Sequence, residues 1–140
     1  MDNQKIMTNK APPPVGAYPH ARRVGNLLFL SGVGPRSATG KDIPGVTLDE
    51  SGNILSYCIE TQARSVFNNV KAILEASSAN WTQLVDVTVF LTNMKDDFKI
   101  YNKVYKEFFK DTLPTRTTVE ILSLPTPIAI ELKCIASFEA

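Results

Sequence analysis

The chain has 140 residues, 44% hydrophobic and 21% charged, which suits one domain with its own core and not a disordered chain. Its 15 basic and 14 acidic residues leave a net charge of +1, with no basic run beyond Arg22–Arg23, so the sequence carries no electrostatic footprint for nucleic acid. The two cysteines, Cys58 and Cys134, form no CxxC pair and are too few for a disulfide framework, and no apolar run approaches the roughly 20 residues of a membrane span.

The first ten residues are polar, without the apolar stretch of a signal peptide. They are expected to be a flexible tail, with a single domain over 11–140 and the cytoplasm as the default location. Ala11-Pro12-Pro13-Pro14 favours extended backbone. Ala21 to Val24 and Leu27 to Ser31 flank Gly25-Asn26, which predicts a hairpin. Residues 32–45 are rich in Gly, Pro, Ser and Asp and read as a loop. A short hairpin is expected around residues 49–53, between Val46-Thr47-Leu48 and Ile54-Leu55.

Glu60 to Ala76 predicts a helix, because Ala63, Val66, Phe67, Val70, Ile73 and Leu74 recur at helical spacing; Gln62, Arg64, Lys71 and Glu75 fall off that stripe. Val85 to Thr92 alternates and is dense in β-branched residues, as a strand is. Asn93, with Asp96 three residues on, is the expected N-cap of a second helix running to about Lys110. Its aromatic stripe (Phe98, Tyr101, Tyr105, Phe108, Phe109) reads first as core packing.

Two strands close the chain, with Pro125 and Pro127 marking a turn between them. Thr117, Val119 and Ile121 share one face, as do Ile130, Leu132, Cys134 and Ala136 on the next strand. The opposite faces carry Arg116, Thr118 and Glu120, then Glu131 and Lys133. The order ββ(β)αβαββ predicts an α+β fold, a mixed β-sheet with two helices packed on one face. The other face, charged groups amid apolar strands, wants a partner subunit or a ligand.

Several chemistries lack their residues. His20 is the one histidine, so a Cys/His zinc site or a hydrolase triad has no basis. His20 itself is a loop histidine or a substrate contact. Gly34 to Lys41 fails as a phosphate loop in its spacing, and Asp42 stands where Ser or Thr is needed.

Arg116 opens a strand beside Pro114, amid threonines. Its guanidinium fork suits a carboxylate, though an exposed strand-end arginine has the same pattern. Glu131 is a lone carboxylate in an apolar strand. Desolvation would raise its pKa toward general acid/base work, unless Lys133 or Arg116 pairs with it across the hairpin. Asn102 sits four residues after Phe98 in the aromatic stripe, where a polar side chain usually bonds something specific. Tyr18 follows the proline-rich arm and either caps a pocket or packs.

Five segments in order resemble one family. They are Gly-Ala-Tyr-Pro-His-Ala at 16–21, Leu-Phe-Leu-Ser-Gly at 28–32, Asn-Lys-Val-Tyr-Lys-Glu-Phe-Phe at 102–109, Leu-Pro-Thr-Arg-Thr-Thr-Val-Glu at 113–120 and Ile-Glu-Leu-Lys-Cys-Ile-Ala at 130–136. Over residues 11–138 the chain is similar to the reactive-intermediate deaminase (RidA/YjgF) family. The resemblance implies a chorismate-mutase-like fold and a homotrimer with active sites between subunits. It implies water attack on an enamine or imine beside a carboxylate, with release of ammonia and no cofactor or metal. On this resemblance Arg116 binds the carboxylate, and the backbones of Gly32 and Thr118 help hold the substrate. Glu131 positions or activates the water, and Tyr18, Ser31 and Asn102 line the cleft.

Pro19-His20, Arg36 after Ser31-Gly32, and Thr117-Thr118 after the arginine look more like the 2-aminomuconate deaminase branch. That substrate has two carboxylates, and Arg36 or His20 is the expected contact for the second. The rival readings are a general 2-iminobutanoate/2-iminopropanoate (2-aminoacrylate) deaminase, an RNA-acting member, and a non-catalytic chaperone-like trimer. The expected partner is a small-molecule carboxylate, with neither nucleic acid nor membrane.

Overall fold

The computed structural model describes residues 3–139. Among these residues eight strands and two long helices follow in chain order: β1 (Asn3–Ile6), β2 (Ala21–Val24), β3 (Leu27–Leu30), β4 (Val46–Leu48), β5 (Ile54–Tyr57), α1 (Ile59–Ala76), β6 (Leu84–Leu91), α2 (Met94–Phe109), β7 (Thr115–Glu120) and β8 (Ile130–Ser137). A 3-10 turn at Trp81–Gln83 precedes β6. The main sheet runs β1-β2-β3-β8-β6-β7, and β4–β5 is a separate hairpin. Only the β6–β7 pair in that sheet is parallel, with α2 as its crossover.

Local chemistry sets these elements. At the β2–β3 turn Gly25 takes a φ of +60° and Asn26 does not, the sign pattern of a II′ hairpin. The side chain of Asn93 accepts the Asp96 amide at 3.1 Å and caps α2, while Asp96 and Asp97 face the positive end of its dipole. The core lies between the helices and one sheet face. Ala63, Val66, Phe67 and Val70 of α1 and Tyr101 and Val104 of α2 meet Val87, Val89, Leu132 and Cys134 there. The aromatic stripe of α2 packs as expected: the Tyr105 and Phe109 rings stack at 4.2 Å, and Phe67 and Trp81 complete the cluster.

Four expectations are corrected. The segment before residue 11 contains an edge strand: β1 pairs antiparallel with β2, and Ile6 is 5% exposed in the core. Its other residues are exposed, which is why the composition looked like a tail. Gln62, placed off the apolar stripe, is fully buried; its Oε1 accepts the Ala129 amide at 2.9 Å.

The last two strands are not a hairpin. β6 lies between them, parallel to β7 and antiparallel to β8. The faces differ as well. Register sets Arg116 beside Val87 and Cys134, on the helix-covered face, and Thr118 beside Val89 and Leu132. Glu131 aligns with Phe90 and Val119 on the uncovered face. Arg116 and Glu131 therefore project from opposite sides of the sheet.

Candidate active site

The Glu131 side of the sheet is built around a bulge. Phe29 pairs with Ile135 and Val33 bridges Leu132, so Leu30, Ser31 and Gly32 face only Cys134 and Lys133. The extra residue bends the strand. Lys133 Nζ turns to the Leu30 carbonyl at 2.5 Å and so satisfies an acceptor the ladder leaves free. The bulge presses Gly32 against Glu131: a Cβ on Gly32 would lie 2.9 Å from the Glu131 carboxyl carbon. Only a residue without a side chain fits beside the carboxylate as it stands.

Glu131 forms no ion pair or hydrogen bond among the described residues. Neither Lys133 nor Arg116 neutralises it, which corrects the paired reading. Burial raises its pKa above the ordinary carboxylate value. The carboxylate lines a narrow cleft of about 40 Å³ with Val15, Tyr18, Gly32, Gly34 and Arg36. Pro125, Thr126 and Ile128 of the β7–β8 connection close it; sequence reading missed them, because a turn signal says nothing of what the turn covers.

Tyr18 is 40% exposed at the rim, and its hydroxyl accepts the Val15 amide. The Ser31 hydroxyl donates to the Pro19 carbonyl at 2.7 Å and holds the arm to the bulge. His20 is buried, and both ring nitrogens are engaged: Nε2 donates to the Pro12 carbonyl at 2.8 Å, and Nδ1 accepts the Thr8 amide at 3.3 Å. The two partners set Nε2 as the donor and Nδ1 as the acceptor. His20 staples the proline arm to the sheet and has no ring nitrogen left for a ligand. Arg36 is half-buried and gives one guanidinium nitrogen to the Pro13 carbonyl at 2.7 Å.

Arg116 sits under α2. Its guanidinium carbon lies 4.6 Å from the Tyr105 ring centroid and 5.8 Å from that of Phe98, within cation–π range. Its Nη1 donates to Asn102 Oδ1 at 2.8 Å. The aromatic faces and Asn102 fix the fork without consuming its charge, leaving other N–H groups for a carboxylate. The hydroxyls of Tyr101, Tyr105 and Thr118 are buried on this same covered face with no partner among the described residues. Burial pushes Tyr105 up to about 12, against the opposing pull of Arg116. An open hollow of about 430 Å³ lies here, lined by Arg116, Asn102, Tyr105, Lys106, Lys110 and Leu113. Lys106, Lys110 and Leu113 gave no sequence signal, being ordinary surface residues of a helix end and its loop.

The structure thus groups Tyr18, Ser31, Gly32, Arg36 and Glu131 on one side and Asn102, Arg116 and Thr118 on the other. One half offers a proton acceptor, the other an anion clamp. No three His, Cys, Asp or Glu side chains among the described residues converge as a metal site. None of the described helices is long and apolar enough to cross a membrane.

The family model described as Endoribonuclease L-PSP matches residues 8–138. A RutC family protein of Pyrococcus abyssi is 38% identical over 136 residues, 97% of this chain and 98% of that one. A 2-iminobutanoate/2-iminopropanoate deaminase of Dermatophagoides farinae is 36% identical over 135 residues, 96% of this chain and 95% of that one. Among solved structures, the YjgF gene product of E. coli superposes with a TM-score of 0.81 at 31% identity, covering 96% of this chain and 98% of that one. The helices on one face of a mixed sheet are those of the α+β, chorismate-mutase-like fold. The chain therefore belongs to the Endoribonuclease L-PSP family, the RidA/YjgF group of proteins.

Proposed function

We propose that the chain is an imine/enamine deaminase acting on small 2-imino acids, with an active site assembled from two copies. One observation carries the reading. An unpaired carboxylate of raised pKa and a fixed, partly free guanidinium face away from each other across one sheet. Each is half of what hydrolysis of an imine beside a carboxylate needs. Neither is useful alone, and a single copy cannot bring them together. Closed rings of identical subunits solve such a problem by setting one surface against a different surface of the next copy. A homotrimer with three such sites is the proposed assembly.

In this scheme Arg116 takes the substrate carboxylate through its free N–H groups and holds the imine carbon in place. Glu131 accepts a proton as water oxygen bonds to that carbon, and the C=N double bond becomes single. It then returns the proton to nitrogen. The resulting amino alcohol gives its hydroxyl proton to nitrogen through the same carboxylate, the C–N bond breaks as the C=O bond forms, ammonia leaves, and a 2-oxo acid remains. A carboxylate with a raised pKa suits both transfers. The chemistry needs only water.

The relative from D. farinae bears a name for small imino acids, which supports substrates of that size. The departures at Pro19-His20 and Arg36 support 2-aminomuconate as the finer alternative. Wild-type protein should release ammonia from 2-iminobutanoate generated in situ, and Arg116→Ala should lower kcat/KM more than tenfold, about 1.4 kcal/mol. Loss of less than tenfold sinks the clamp role.

The matching family model names an endoribonuclease. The only histidine has both nitrogens engaged, so RNA cleavage by a histidine pair lacks its groups here. Salt-dependent RNA binding would favour that other reading.

A further inference from the structure

We infer that Leu113 is a specificity-determining residue of the site: its side chain forms an apolar wall of the hollow that Arg116 lines, and receives the alkyl substituent of the 2-imino acid. This rests on the deaminase reading and orders substrates within that small class, 2-iminobutanoate above 2-iminopropanoate.

Leu113 is ordinary by type but not by conformation. Among the described residues only Ser78 and Leu113 take a positive φ without being glycine, and Leu113 is the bulky one, at +46°. Its amide donates to the Phe109 carbonyl, four residues back, at 3.0 Å, and the Thr112 amide donates to the same oxygen at 3.2 Å. Leu113 thus ends α2 at the position where glycine is the usual residue, because an L side chain strains left-handed backbone. A leucine at such a cap can offset the strain by packing back on Phe109. Here it is 78% exposed, so little of its surface is used that way. An exposed leucine alone would need no explanation, but one pinned in strained backbone does.

Position supplies the contact. Leu113 stands three residues before Arg116 and lines the same hollow of about 430 Å³, together with Tyr105 and Phe109. With the carboxylate on Arg116, the substituent of the adjacent carbon meets either this apolar surface or water. Each methylene moved from water onto it favours binding.

Leu113→Gly and Leu113→Ala test the role together. Both remove the wall, but only glycine relieves the backbone, so Leu113→Gly should melt higher than Leu113→Ala. The probes are 2-oxopropanoate, 2-oxobutanoate and 2-oxopentanoate, with binding to the assembled protein followed by calorimetry. Wild-type affinity should rise about fourfold per added methylene. In both variants that rise should fall below about twofold, with 2-oxopropanoate itself bound nearly as in wild type. An unchanged ladder, or equal weakening of all three acids, overturns the role. So does dissociation of either variant in sedimentation, which would make Leu113 a contact between copies, or a Leu113→Gly midpoint no higher than that of Leu113→Ala. Ammonia release from 2-iminobutanoate is measured separately on wild type. Without turnover the deaminase reading fails, while the binding ladder still decides Leu113.

Discussion

The Gly32 backbone and the Glu131 carboxylate share one narrow space, and a methyl group on Gly32 has nowhere to go but into that carboxylate. With the Cβ 2.9 Å from Cδ and 3.0 Å from Oε1, Gly32→Ala must swing Glu131 aside. Side-chain torsions absorb this cheaply, so the thermal midpoint should move little. Activity should fall tenfold or more, because about an ångström of misplacement at a proton-transfer group is costly. A Gly32→Ala protein with wild-type kcat would show that Glu131 is not the working group. The same carboxylate lowers stability at neutral pH. Its pKa is higher folded than unfolded, so stability falls as pH rises from the ordinary value of 4.5 through the folded one. Glu131→Gln should therefore raise the melting temperature at pH 7, with the gain vanishing below about pH 4.5. Melts at pH 4 and 7 decide it; an equal or lower midpoint for Glu131→Gln at pH 7 refutes the assignment. That Glu131 mattered was legible, since a lone acid in an apolar strand stands out. That nothing pairs with it was not, because Lys133 is diverted by the bulge to Leu30.

At the scale of elements, alternation was readable wherever the two faces of a strand differ in polarity. On β8 buried and half-buried residues alternate without a break, and Glu131 fell on the expected side. On β7 the sequence Thr-Arg-Thr-Thr-Val-Glu offers threonine to both faces, and the face of Arg116 was misjudged. The deciding contacts come from α2, whose Phe98, Asn102 and Tyr105 accept a cation that strand patterning counts as solvent-facing. α1 holds a similar surprise in Asn69, 9% exposed and spent on the loop carrying Arg36. Asn69→Ala leaves two carbonyls without their donor. It should cost about 1–3 kcal/mol in urea unfolding. It should also loosen residues 34–36, raising amide exchange there while the centre of β6 stays protected. A loss below about 0.5 kcal/mol would mean that water replaces the asparagine at no cost.

For the whole molecule, the sheet that separates Arg116 from Glu131 makes the proposed assembly testable. Arg116→Ala and Glu131→Gln each remove one half of every site, so each protein alone should be inactive. Co-refolded in equal amounts, they assemble at random. A site bounded by two neighbours then has an intact arginine in half of cases and, independently, an intact glutamate in half. About a quarter of wild-type activity should return, a fraction that follows from the heterologous contact alone. A site contained in one chain would return nothing, since every chain is defective. The control is the double variant Arg116→Ala/Glu131→Gln mixed with wild type. There the intact copies meet each other in about a quarter of sites, so the same recovery is expected from random assembly. Activity in the control without activity in the complementing mixture would locate both groups on one copy, against the register that places them on opposite faces of the sheet.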